Sequence, residues 1–141
     1  KGDLTGSNKH FSFSMNENLA PEHIHVFESA IDAMSYATML LLNGRDWKKE
    51  TFLSLAGVYK TKREKVVPVA LERYLKDYPS IKTVHLHLDN DSIGRGAVAG
   101  IVSGLQEKYT VLDEPPSHGK DVNDELKIRV GIMREREEIE R

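Results

Sequence analysis

The sequence predicts an α/β domain in which a largely parallel, four-stranded core sheet is flanked by helices, with an extra strand possible at the N-terminus. Short β-branched runs such as HIHVF at 23–27 and TVHLHL at 83–88 alternate with longer stretches of helical apolar spacing. Strands separated by whole helices need crossovers, and crossovers make parallel sheets covered on both faces. At 141 residues and 39% hydrophobic, the chain can bury one substantial core but is short for two.

Taken in order, HFSFSM at 10–15 alternates as a short strand does, and Asn16 to Glu22 reads as a turn containing Pro21. HIHVF is the first core strand. SAIDAMSYATMLLLNG is too densely apolar for a surface helix, and Asn43 with Gly44 stops it. TFLSLAG at 51–57 gives a strand and turn, followed by the charged loop KTKREK at 60–65. Val67, Leu71, Tyr74, Leu75 and Tyr78 then share a helical face, with Pro68 tolerated in the first turn and Pro79 ending the element. TVHLHL is the next strand. Ala97, Val98, Ile101, Val102 and Leu105 form the face of a helix beginning near Gly94. KYTVLDEPP at 108–116 supplies the fourth core strand, and a last helix is expected from Asn123 to about Glu138.

Three regions follow: an N-terminal extension with a possible edge strand at 1–21, the α/β unit at 22–130, and a charged helical end at 131–141. The start at Lys1 and the dense run MREREEIER read as the ends of a domain cut from a longer polypeptide. The absence of cysteine excludes disulfides, thiolate zinc sites and cysteine nucleophiles. No apolar stretch approaches the roughly 20 residues that span a bilayer, and there is no signal-peptide core, so a cytoplasmic protein without membrane contact is expected. The net charge of -2 neither requires nor forbids a local basic groove.

Ligands of open α/β sheets collect beyond the carboxyl ends of the strands. Glu28 closes one core strand, Asp89 and Asp91 close another, and Lys120 and Asp121 follow a third, so all should open onto one edge. Three carboxylates there would repel one another unless a cation joined them, and Mg2+ takes such oxygen ligands. Asp89 and Asp91 would hold the ion, with Glu28 as a third ligand or as a base. The opposing reading of an Asp pair after a strand is an ordinary turn or helix cap.

Asp32, four residues after Glu28, could orient it, hold water or serve the helix start. Gly94 and Gly96 permit a tight turn, and Arg95 between them could reach a phosphate. Lys120 could neutralise a phosphate, with Asp121 at an ion, at a water or paired to Lys120; Asp121 and Asn123 could equally cap a helix. Ser29 and Ser35 lack the base and orienting group that a serine nucleophile needs. His85 and His87 share one side of their strand, as do His23 and His25; packing or hydrogen bonding is the preferred reading over metal, because no third imidazole is in view. Trp47 reads as a packing anchor. The run at 60–65 is either a solvated loop or a contact to a nucleic-acid backbone.

FESAIDAMS with Glu28, LDNDSIGRGA with Asp89 and Asp91, SLAGV at 54–58, and GKDVND with Lys120, Asp121 and Asn123 together resemble a Toprim domain over about residues 22–130. That module is shared by bacterial DnaG-type primases, topoisomerases and related nucleases, and the resemblance is to the primase-like branch from plasmids and other mobile elements. It implies a compact α/β domain holding Mg2+ or Mn2+ at Glu28, Asp89 and Asp91 and acting on phosphodiester bonds. Ser29 departs from the glycine that many relatives carry after the glutamate. DNA or RNA would be engaged through the full-length protein, with catalytic or template-binding domains missing from this chain. Two other functions stay open: a nucleic-acid-binding or assembly module with a vestigial acidic site, and a phosphate-handling enzyme for small molecules.

Overall fold

A computed structural model describes residues 13–15, 18–55 and 67–131. The basic run at 60–65, the first half of the expected N-terminal strand and the charged end from 132 onward lie outside the described residues.

The elements run β1 (Ser14–Met15), β2 (His23–Phe27), α1 (Ala30–Leu42), a 3₁₀ turn (Trp47–Lys49), β3 (Phe52–Ser54), α2 (Val69–Asp77), β4 (Thr83–His87), α3 (Ser92–Leu105), β5 (Thr110–Asp113) and α4 (Val122–Arg129). The sheet order is β1-β3-β2-β4-β5. The four core strands are mutually parallel, and β1 joins β3 antiparallel at the edge. This is the α/β architecture expected, with the N-terminal edge strand in place. No helix among the described residues is long and apolar enough to cross a membrane.

Alternation along the strands divides the core. Ile24 and Val26 of β2, Leu53 of β3, and Val84 and Leu86 of β4 face α2 and α3, where Leu71, Leu75, Val98 and Ile101 complete the larger apolar layer. Phe27 and Phe52 face α1 and α4 on the opposite side, packing with Ala33, Ala37, Leu40 and Val122. Trp47 packs against this second layer, as an anchor should.

Leu86 is 0% exposed, in a strand flanked on both sides by other strands. Leu86→Ala should therefore cost about 2–5 kcal/mol, read as a lower denaturation midpoint at unchanged slope.

Two boundaries differ from expectation. Helix α3 begins at Ser92 rather than near Gly94, because the Asp91 side chain accepts from the Gly94 N–H and caps it. The GRG triplet is thus helix rather than turn. Helix α4 ends at Arg129 rather than continuing through about Glu138: Val130 closes it on Leu126, and Gly131 follows at φ 84°.

Candidate metal centres

Because β2 and β4 are parallel neighbours with Phe27 opposite His87, their next residues emerge together at the carboxyl edge of the sheet. There the Asp89 N–H donates to Glu28 Oε2 at 2.9 Å, so the two strand ends are joined by their own candidate ligands. Asp91 presents Oδ1 to the start of α3 at 2.7 Å, while its Oδ2 lies 3.6 Å from Lys120 Nζ. The Lys120 carbonyl accepts from the Asn90 N–H at 2.7 Å, which fixes the loop before α4 against the Asp89–Asp91 loop. Asp121 caps α4 by accepting from the Asp124 N–H at 2.7 Å. The structure therefore brings Glu28, Asp89, Asp91, Lys120 and Asp121 to one edge.

Asp32 has a more specific place than sequence alone assigned it. It is 4% exposed; Oδ1 accepts from the Asn123 N–H at 3.1 Å and Oδ2 from the Ser29 hydroxyl at 2.9 Å. Asn123 Oδ1 in turn accepts from the Ser35 hydroxyl at 3.0 Å. Asp32, Ser35 and Asn123 thus lock α1 to α4, and Ser29 caps α1. Asn123 lies in the first turn of α4, where Asp121 is the cap.

Arg95 does not stand free for a phosphate. Asp113 holds its Nη1 at 2.9 and 2.7 Å, and the Leu88 carbonyl lies 3.5 Å from Nη2, so the guanidinium bridges the ends of β4 and β5. Among the described residues, Lys120 is exposed and lies beside Asp91 at the acidic edge.

Burial raises Asp89 to about 7, and the Glu28 carboxylate adds to the rise. Burial likewise raises Glu28, with Asp91 and Asp32 contributing repulsion against the hydrogen bonds from Asp89. Asp91, with Asp89 behind it, holds Lys120 above the ordinary lysine range. The donor set suits a hard divalent cation: carboxylate oxygens crowded enough to raise Asp89 and Glu28, at the end of the sheet where ligands collect.

The Toprim-like family profile matches residues 25–126, from β2 into α4. The chain belongs to the Toprim-like family. A search of curated proteins finds no match. Within this Toprim-like domain the matched span includes Glu28, Asp89, Asp91, Lys120, Asp121 and Asn123.

The Toprim-like domain also carries a histidine cluster, on the sheet face covered by α1. The register sets His25 beside His85, and the HxH repeats of β2 and β4 interlock. His23 Nδ1 meets His85 Nε2 at 2.9 Å and His25 Nδ1 meets His87 Nε2 at 2.8 Å. The outer ends reach carboxylates: His25 Nε2 to Glu50 Oε1 at 3.0 Å, and His85 Nδ1 to Glu114 Oε1 at 3.0 Å. Phe27 stacks on His87 at 4.9 Å between centroids. Hydrogen bonding was the expected role for these rings, and it is observed. Among the described residues, His25, His87 and Glu114 are the group whose ligand atoms all lie within 4.8 Å of one another, an arrangement consistent with metal binding. Glu50 and Glu114 were absent from the sequence reading. The detectable signal was the repeated HxH on two strands, which become partners only once β2 is known to lie beside β4.

Burial lowers His25 to about 4 and His87 well below the usual imidazole range, so both are neutral at physiological pH despite the carboxylate beside His25.

These shifts act oppositely on stability. Folded Asp89 retains its proton to about pH 7, whereas in the unfolded chain it loses it near 3.8, so its contribution falls as pH rises through that window. His25 is depressed, so its contribution rises with pH from about 4 to 6.5. A difference measurement separates them. With chelator present, the stability of Asp89→Asn relative to wild type should grow from pH 4 to pH 7 and then level off, by about 1–2 kcal/mol once screening at this half-exposed site is discounted. Thermal unfolding of both proteins across that range is the check.

Proposed function

We propose that the chain is the metal-dependent nucleotidyl-transfer or phosphodiester-processing module of a primase-like DNA-processing protein of the cytoplasm. The observation carrying this reading is the meeting of Glu28 and Asp89 between adjacent parallel strands, with Asp91 and exposed Lys120 beside them. Family membership supports it, because the resemblance is to a module of primases, topoisomerases and nucleases.

In this reading Glu28, Asp89 and Asp91 hold Mg2+ or Mn2+, which when bound would orient phosphate oxygens and offset charge that develops during in-line displacement. Asp89, which keeps a proton to about pH 7, releases it as the site loads. Should Asp89 and Asp91 alone hold the ion, Glu28 is instead the base that accepts a proton from an attacking hydroxyl, since burial raises its basicity. Lys120 meets a phosphate oxygen as a mobile point charge, and Asp121 holds the start of α4 so that Lys120 stays beside Asp91. Asp32 and Asn123 position α4 rather than touch substrate.

The test uses the full-length protein and a labelled single-stranded oligonucleotide with Mg2+, Mn2+ or chelator. Metal-dependent extension or cleavage that disappears in D89N/D91N supports the proposal. Unchanged oligonucleotide affinity with no metal-dependent product in either protein would move the assignment to a binding module, and a phospho-intermediate on Asp89 would move it to small-molecule phosphate chemistry.

A further inference from the structure

The outer partner of His25 fixes where its free nitrogen points. Glu50 Oε1, 3.0 Å from His25 Nε2, accepts the hydrogen bond of that nitrogen and leaves Nδ1 facing inward. His87 presents Nε2 to that inward nitrogen at 2.8 Å, so Glu50, His25 and His87 form a chain.

The third group decides what completes the chain. Glu114 Oε1 lies 3.6 Å from His87 Nε2, and it joins His25 and His87 within the 4.8 Å cluster. A proton between the two nitrogens would use only the imidazoles; a metal ion would use all three donors. Ligating histidines characteristically donate their other N–H to a carboxylate or a backbone carbonyl, and His25 does so to Glu50.

We propose that His25 Nδ1, His87 Nε2 and Glu114 Oε1 form a second cation site, selective for an imidazole-binding transition ion such as Zn2+ or Co2+ and separate from the acidic edge. Two imidazoles and one carboxylate suit these ions and not Mg2+, which prefers oxygen. Seating the ion needs the nitrogens to part to about 3.3 Å, the spacing that metal–nitrogen bonds of roughly 2.0–2.1 Å at a tetrahedral angle require. Solvent reaches the site through Glu114, whose side chain is 41% exposed. A cleft of about 370 Å³ lined by Glu22, His23, Lys49 and Glu50 opens at the other end of the histidine row.

The experiment is a Co2+ titration of the chain in excess Mg2+, followed by ligand-field absorption, with nitrogen NMR of the imidazoles on Zn2+ addition. The expected result is saturable absorption that D89N/D91N leaves unchanged and that Glu114→Gln weakens roughly tenfold or more. Zn2+ should shift His25 Nδ1 and His87 Nε2 while leaving their partner nitrogens protonated. Glu114→Gln alters a half-exposed side chain, and circular dichroism verifies its fold. Absence of Co2+ binding in excess Mg2+, or binding that Glu114→Gln leaves intact and D89N/D91N removes, overturns the proposal. Because the acidic edge is separately mutated, failure here and failure of the proposed function give different patterns.

Discussion

Glu28→Gln is expected to abolish metal-dependent turnover of the full-length protein, by roughly 10²–10⁴-fold, while leaving the fold intact. The substituted amide keeps an oxygen in place of the one that accepts from the Asp89 N–H, so the β2–β4 junction is retained. What disappears is a negative charge. Without it, Asp89 loses a main source of repulsion, and its proton should leave at lower pH. The variant should thus show native circular dichroism and a thermal midpoint at or above wild type in chelator. A variant that is fully active would show that Glu28 is neither base nor ligand.

Gly94→Ala is expected to have the largest effect of any single methyl group. A Cβ at Gly94 would fall on the backbone carbonyl of Asp89, with the Asp89 N and C close behind. Alanine favours helix over glycine by about 1 kcal/mol. That gain cannot offset overlap with main-chain atoms that no rotamer change can move, so a net loss of about 2 kcal/mol or more is expected. The displaced Asp89 loop should weaken Mg2+ binding as well. Gly96 is the control: nothing lies within 4 Å of its added Cβ, so Gly96→Ala should stabilise by about 0.5–1 kcal/mol. Paired denaturation curves decide the matter, since equal responses at 94 and 96 would remove the close-approach argument.

The layers of the fold were legible because each core strand alternates or runs apolar and each helix carries a clear face. Glu28, Asp89 and Asp91 were legible for the same reason, as each follows a strand whose direction the crossovers dictate. Partnership across the sheet was not legible. Strand order places β2 between β3 and β4, and only that order sets His25 against His87 and brings Glu50 and Glu114 to the ends of the row. The partner of Arg95 was hidden for a related reason: Asp113 lies 18 residues away on the edge strand, and local spacing gives no sign of it. Asp32 was read from its own helix, whereas it also accepts from the Asn123 N–H of α4.

The central claim is a divalent cation held at the carboxyl edge by Glu28, Asp89 and Asp91. Its most direct test is calorimetric titration of Mg2+ into the wild-type chain and into D89N/D91N, alone and with a short single-stranded oligonucleotide. The account predicts a binding isotherm for wild type that is lost in the double variant. Equal isotherms in the two proteins, or no binding in either with or without the oligonucleotide, would contradict it.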